Sequence, residues 1–163
     1  MLLSFVLYCG SEGRREMTTI VVETRIAAPP EICFDLALNV DAHAESAAFS
    51  GERVVEPGRL SGILQLGEMV TFEGRHFGFR QRFTAKIIEV DRPRRFVDEM
   101  VRGAFRWLRH IHEFEPVDGG TLMRDTLSWQ APFGLGFLLK RHMRWFVATK
   151  QGHLKAIAER NAI

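Results

Sequence analysis

Alternating apolar and polar residues run through most of the chain and predict β-strands. In residues 19–27 the side chains of Ile20, Val22, Thr24 and Ile26 alternate with mostly polar neighbours, as in a strand buried on one face. The same reasoning predicts six further strands, at about 51–56, 69–73, 75–90, 95–101, 105–115 and 121–130. Short turn signals rich in Gly, Pro and Asp separate them and join antiparallel neighbours, so the pattern predicts an antiparallel meander.

Two short helices are predicted directly after the first strand. Pro30 and Glu31 suit the first turn of a helix at about 30–38, because proline needs no hydrogen-bond donor there and the positive helix end favours an acid. Asp41 is expected to cap a second helix at 41–49, in which several alanines favour helix formation.

A long helix is predicted at the C-terminus, over residues 135–160. Met143 and other apolar residues recur there at helical spacing and form a stripe that can close the open face of a sheet. The basic residues of this helix are expected on its outer, solvated face: Lys140, Arg141, Arg144 and Lys150.

Several short motifs within this order of elements resemble one known superfamily. They are Ala28-Pro29-Pro30 with Cys33-Phe34-Asp35, Val90-Asp91-Arg92-Pro93-Arg94-Arg95-Phe96, His110-Ile111-His112-Glu113-Phe114-Glu115-Pro116, and Gly119-Gly120-Thr121. In these the chain resembles the START-like, or SRPBCC, superfamily of polyketide cyclases and dehydrases and birch-pollen-allergen-like proteins. The resemblance covers residues 17–163. It implies an α+β helix-grip fold, with a curved antiparallel sheet of six to seven strands around the long C-terminal helix and a ligand-sized pocket between them.

Composition is that of one domain without a metal or disulfide scaffold. The chain has 163 residues, of which 46% are hydrophobic, and the strand pattern begins only after Met17. We therefore expect residues 1–16 to be an N-terminal extension and residues 17–163 to be a single domain. Only Cys9 and Cys33 are present, too few and too far apart for a disulfide framework or a zinc site. We expect a cytoplasmic protein that needs no cofactor.

Charge and hydropathy exclude two classes of partner. The 22 Lys and Arg residues against 20 Asp and Glu residues give a formal net charge of +2, too little to predict nucleic-acid binding. No segment is long enough for stable membrane insertion. A hydrophobic small-molecule ligand is the partner that the resemblance implies, and we expect a monomer or a homodimer.

Turn positions set the strand registers and hence the residues that face the pocket. A two-residue turn at Gly103-Ala104 pairs Glu99 with Leu108, and a turn at Asp118-Gly119 pairs His112 with Asp125. These registers place four polar residues together on the concave face, Glu99, His110, His112 and Asp125. The convex face is then expected to carry Lys86, Asp98 and Arg109. The remaining predicted pocket residues are Phe83, Val97, Leu108, Leu127 and Met143, with His43 and His76 near the pocket mouth.

Two chemistries are open to the predicted histidine pair. His110 and His112 lie two apart on one strand and point the same way, so they could offer nitrogen ligands to a metal beside Asp125 or Glu99. No flanking motif supports a metal, and we predict none. His112 and Asp125 could instead form a proton-transfer dyad, and they are the candidate catalytic residues if the protein is an enzyme.

Three functions fit this sequence. The first is binding of a hydrophobic small molecule of lipid, polyketide or isoprenoid type. The second is an aromatase/cyclase-type enzyme that uses the pocket His, Asp and Glu residues for proton transfer. The third is a regulatory protein-interaction module. Fold resemblance does not choose among them, because one fold serves many functions, and catalysis is left open.

Overall fold

A seven-stranded antiparallel sheet and three helices make up the described part of the chain. The computed structural model describes residues 17–76, 79–130 and 136–162, with only the backbone of residues 76, 136 and 137. The predicted extension, residues 1–16, lies outside the described residues. The strands are β1 (Met17–Ile26), β2 (Arg53–Val55), β3 (Met69–His76), β4 (Phe79–Asp91), β5 (Arg95–Arg102), β6 (Trp107–Val117) and β7 (Gly120–Gln130). The helices are α1 (Pro30–Leu38), α2 (Val40–Ser46) and α3 (Gly136–Asn161).

The strands follow one another across the sheet in the order β1-β7-β6-β5-β4-β3-β2. Strands β2 to β7 form the predicted meander. Strand β1 adds to it as an edge strand by pairing with β7 over the whole of its length, from Met17 opposite Gln130 to Ile26 opposite Thr121. The helix-grip fold is thereby confirmed. No helix among the described residues is both long enough and apolar enough to cross a membrane.

The short helices seal one end of the sheet. Phe34 of α1 is buried against Phe96 and Phe114, with ring centroids 5.6 and 5.5 Å apart in edge-to-face arrangements. The predicted cap of α2 was wrong by two residues. The Asn39 side chain accepts hydrogen bonds from the backbone N–H groups of Asp41 and Ala42, whereas the Asp41 carboxylate accepts from the N–H of Gly62.

Helix α3 lies along β1 and is fastened to it by side-chain hydrogen bonds. Arg144 and Gln151 donate to the carbonyl oxygens of Val21 and Val22 at 3.3 Å each, and Lys155 donates to the carbonyl of Arg25 at 2.8 Å. The order of these contacts shows that α3 and β1 run in the same direction. The N-terminal end of α3 therefore lies at the end of the sheet where β1 begins and β7 ends.

One strand register agrees with the prediction and the neighbouring one differs by a residue. His112 pairs with Asp125 across β6 and β7, as the turn at Asp118-Gly119 predicts. Between β5 and β6, Asp98 lies opposite His110, and Glu99 lies opposite Arg109. The pairing is centred on Ala104, and four residues, 103–106, connect the strands in place of a two-residue turn. A slip of one residue moves every side chain of β5 to the other face of the sheet.

Deletion of residues 1–16 tests the predicted domain boundary. We expect the truncated chain to melt within about 2 °C of the full chain, because β1 begins at Met17 with its pairing complete. Thermal unfolding followed by circular dichroism measures the difference. A fall of many degrees would show that residues 1–16 contribute to the core.

Candidate functional site

A cavity of about 440 Å³ lies between the sheet and α3. The walls are mainly apolar: Phe83, Ala85 and Ile87 come from β4, Leu108 from β6 and Leu127 from β7, while α3 contributes Met143, Phe146 and Val147. These residues line it because the concave face of the sheet and the apolar stripe of α3 face each other. The volume falls within the range of small-molecule pockets.

The cavity has an open and a closed end. Four of its lining residues are exposed to solvent: Phe79 and Arg82 of β4, Ala104 between β5 and β6, and Leu138 in the first turn of α3. The opposite end is lined by the buried side chains of Leu38 and Leu64. The mouth therefore lies at the end of the sheet next to the N-terminal end of α3.

Four ionisable side chains from neighbouring strands meet at one wall of the cavity: Asp98 of β5, His110 and His112 of β6, and Asp125 of β7. His112 lies between the two carboxylates. Its Nε2 is 3.1 Å from Asp98 Oδ2, within hydrogen-bond distance, and its Nδ1 is 2.7 Å from Asp125 Oδ1 in an ion pair too bent for a hydrogen bond. We call these four residues the acid–histidine cluster.

The two histidines of the acid–histidine cluster differ in protonation. Burial disfavours the charged form of His112, but the adjacent carboxylates of Asp125 and Asp98 outweigh it and raise the pKa of His112 to about 9. Burial, and then the charge of His112, lower the pKa of His110. Burial would raise the pKa of both carboxyls, yet the histidines hold the pKa of Asp98 below its usual value and that of Asp125 well below it. At neutral pH the cluster therefore contains an imidazolium beside a neutral imidazole.

His110 has spare hydrogen-bonding capacity at its Nε2. Its Nε2 is buried, lies 3.7 Å from Asp125 Oδ1, and has no hydrogen-bond partner within residues 17–76, 79–130 and 136–162. The two histidine rings are in contact, tilted by 40° to each other, with centroids 3.8 Å apart. His112 is covered on another side by Phe96, whose ring stacks on it at 4.2 Å.

A second polar chain links α3 to α2 at the cavity wall. Lys150 Nζ lies 2.9 Å from His43 Nδ1, and His43 Nε2 lies 3.4 Å from Glu52 Oε1. Burial, followed by the charge of Lys150, lowers the pKa of His43 to about 4. His43 is therefore neutral at pH 7, and its Nδ1 lies within hydrogen-bond distance of the Lys150 amino group. Burial also lowers the pKa of Lys150, against the opposing charges of Glu52, Asp125 and Asp98.

Comparison with known families gives the site a context. The family described as polyketide cyclase/dehydrase and lipid transport matches residues 17–160. The chain belongs to this family. The START-like resemblance is thereby confirmed. Comparison with curated proteins by sequence finds no match.

Solved structures share the fold of this cyclase/dehydrase-family protein at low sequence identity. Protein TTHA0849 from Thermus thermophilus has a TM-score of 0.74 and 18% identity, over 90% of this chain and 100% of that one. The Zhui aromatase/cyclase from Streptomyces sp. R1128 has a TM-score of 0.73 and 13% identity, over 91% and 97%. Ginseng major latex-like protein 151 from Panax ginseng has a TM-score of 0.62 and 11% identity, over 87% and 97%. These likenesses show the fold.

Most of the residues predicted for the pocket line this family member's cavity: His43, Phe83, Leu108, His110, His112, Asp125, Leu127 and Met143. Glu99 and Val97 do not, because the one-residue shift of β5 turns them to the convex face. Glu99 lies there 3.5 Å from Arg109 and beside Lys86, in the place predicted for Asp98. The side chain of His76 lies outside the described residues.

Sequence reasoning missed Asp98 and Lys150 as site residues. Asp98 was assigned to the convex face, and the missing signal was the length of the connection around Ala104. Lys150 was assigned to the solvated face of α3. Its position carried a signal, since it lies four residues after Phe146 and four before Leu154 and so continues the apolar stripe.

The family domain also has a group of potential metal ligands. Asp98, His110 and His112 each offer one ligand atom, and these atoms lie within 4.8 Å of one another. A metal bound there would have to displace the proton that the carboxylates hold on His112, so capture would become easier as the pH rises.

The pKa of His112 predicts how stability depends on pH. Its folded-state pKa of about 9 lies above the ordinary 6.5, so its contribution of at most about 3 kcal/mol is complete below pH 6.5 and lost as the pH rises through 9. The stability difference between the native protein and His112→Phe should therefore shrink over that interval. Urea unfolding of both proteins at several pH values measures it, and a constant difference would contradict the assigned protonation state.

Proposed function

We propose that this protein binds a hydrophobic small molecule, of lipid, polyketide or isoprenoid type, in the cavity between the sheet and α3. The observation that carries the proposal is the division of the cavity wall into a large apolar part and the acid–histidine cluster. Apolar surface provides affinity by excluding water, and a few convergent polar groups fix the orientation of a ligand.

The free nitrogen of His110 indicates the kind of polar group that the ligand carries. A buried polar atom without a partner costs about 1–3 kcal/mol, which a ligand group can recover by hydrogen bonding to it. Neutral histidine has one nitrogen that donates and one that accepts. A hydroxyl or a carbonyl group of the ligand would therefore suit His110 Nε2.

The charges around the cavity favour a ligand whose polar end is uncharged. Three carboxylates line it, from Glu52, Asp98 and Asp125, against the imidazolium of His112 and the amino group of Lys150, whose pKa burial lowers. Arg82 also lines the cavity but donates to the Glu73 carboxylate at 2.9 Å. An anionic ligand would meet this excess of carboxylates, so we propose a neutral ketone, phenol or alcohol on an apolar skeleton.

Replacement of His110 tests the proposed orientation. His110→Phe keeps an aromatic body and removes a nitrogen that makes no hydrogen bond within the described residues and lies 3.7 Å from Asp125 Oδ1, so the fold should be retained. The variant should bind a ligand with a hydroxyl or carbonyl group about 1–3 kcal/mol more weakly, while its affinity for an apolar probe such as diphenylhexatriene stays the same or improves. Native mass spectrometry of protein purified from its host identifies the ligand, and titration calorimetry compares the affinities.

His153→Phe is the matched control for this experiment. His153 lies on α3, its Nδ1 is 3.0 Å from the Ser46 carbonyl, and it does not line the cavity. This variant should bind the ligand as the native protein does. Equal affinities of all three proteins for the polar ligand would remove His110 from the binding site, and purified protein without any retained small molecule would favour the regulatory-module alternative.

The separated protonation of His110 and His112 supports a second candidate, an enzyme of the aromatase/cyclase kind. Neighbouring groups whose pKa values are pushed apart can act as an acid and a base in one reaction. His112, charged at neutral pH, would donate a proton, and neutral His110 would accept one. Asp125 would then hold His112 in its charged form and would not itself transfer a proton.

Turnover of the retained compound separates an enzyme from a carrier. If the protein is an enzyme, His110→Phe should still bind the substrate while the rate falls by about a hundredfold or more, the usual effect of losing a general acid or base. If it is a carrier, the native protein leaves the compound unchanged, as judged by mass spectrometry after prolonged incubation.

A further inference from the structure

More than half of the basic residues of the chain lie in three segments that contain no acidic residue. The segments 74–88, 100–112 and 126–158 together contain twelve of the 22 Lys and Arg residues and none of the 20 Asp and Glu residues. The small net charge of +2 therefore hides a strong asymmetry, because the rest of the chain carries all the acids and only ten basic residues.

The fold brings parts of these three segments to the same end of the sheet, the end that carries the cavity mouth. The start of β4 and the end of β5 meet there, since Thr84 pairs with Arg102, and the start of β6 pairs with the end of β7, Trp107 with Gln130. The N-terminal end of α3 lies at this end of the sheet too, because α3 and β1 run in the same direction and Arg144, in the third turn of α3, contacts Val21 at the middle of β1. The exposed basic residues at this end of the sheet are Arg75, Arg80, Arg82, Arg102, Arg106, Lys140 and Arg141.

Four of these side chains present uncompensated charge. Arg80 contacts the buried carboxylate of Glu73, which Arg53 and Arg82 also share. Arg75, Arg102, Lys140 and Arg141 form no ion pair within the described part of the structure. We call these four residues the basic rim.

Exposed apolar side chains stand among these charges. Phe79 is 72% exposed and Leu138 is 54% exposed, although both line the cavity. Exposed apolar patches rimmed by polar residues are typical of protein–protein or membrane contact sites. Apolar side chains surrounded by Lys and Arg are the combination that peripheral proteins use on anionic bilayers.

We propose that the cavity mouth docks reversibly on an anionic lipid bilayer, with the basic rim against the headgroups and Phe79 and Leu138 inserted between them. The cavity would then open toward the membrane, where hydrophobic molecules dissolve. The docked state needs no membrane-spanning segment. The inference goes beyond the proposed ligand site, and vesicle binding can be measured with no cavity ligand present.

Co-sedimentation with vesicles tests the docking surface. The full chain should bind vesicles of phosphatidylcholine mixed with phosphatidylserine, bind phosphatidylcholine vesicles far more weakly, and be released at high salt, since the attraction is screened. The double variant Lys140→Gln, Arg141→Gln should lower the partition coefficient on the anionic vesicles about thirtyfold. Phe79→Ser should lower it about tenfold, because less apolar surface is buried.

Matched variants distant from the mouth control for charge and hydrophobicity. Arg94→Gln with Arg160→Gln removes two exposed charges, and Leu66→Ser removes an apolar side chain that is 64% exposed and does not line the cavity. Both should bind anionic vesicles as the native chain does. Circular dichroism of each variant establishes that it is folded.

Three outcomes would overturn the membrane proposal: equal binding to neutral and anionic vesicles, equal losses in the rim variants and their controls, or no binding to either vesicle. If neither vesicle is bound and ligand affinity is retained, the basic rim would instead be assigned to binding an acidic protein partner. Selective binding to anionic vesicles by a protein that takes up no cavity ligand would instead overturn the proposed function and keep the docking surface.

Discussion

The buried ion pairs of His112 with Asp98 and Asp125 hold three adjacent strands in one register. A one-residue slip of β5 would turn the Asp98 carboxylate away from the cavity and leave His112 with a single acidic partner. Breaking a buried pair by removing one member costs about 3–5 kcal/mol, a large part of the roughly 5–15 kcal/mol that stabilises a typical domain. The cavity wall depends on this register, because the facing of every lining residue on β5, β6 and β7 follows from it.

Local turn chemistry explains which parts of the fold could be predicted from the sequence. Gly119 adopts a left-handed conformation, with φ of 79°, at the turn that the sequence marks with Asp118-Gly119, and the β6–β7 register followed from it. The connection around Gly103 and Ala104 carries no such marker of its length. Sequence reasoning therefore found the histidine pair and Asp125 but exchanged Asp98 for Glu99. Lys150 was missed because a lysine in an apolar stripe was assumed to be solvated, whereas its stem can pack while its amino group lies within hydrogen-bond distance of His43.

The cavity wall and the cavity entrance carry charged groups of opposite sign. Carboxylates predominate inside, where Asp98, Asp125 and Glu52 line the wall, whereas the basic rim surrounds the entrance. The two regions select for different properties. A surface that attracts anionic headgroups can bring the mouth to a bilayer, while the acidic interior opposes entry of those same headgroups. Together they would admit neutral hydrophobic molecules from a membrane whose charged lipids stay outside.

The hydrogen bonds from α3 to β1 also bear on self-association. An open sheet exposes two edge strands, and unpaired backbone groups on such edges can add a strand from another molecule. Here one edge is β1, where Val21, Val22 and Arg25 accept hydrogen bonds from α3 side chains. The other is β2, which spans only three residues. An added strand would therefore have to displace α3 side chains from one edge or pair with only three residues at the other.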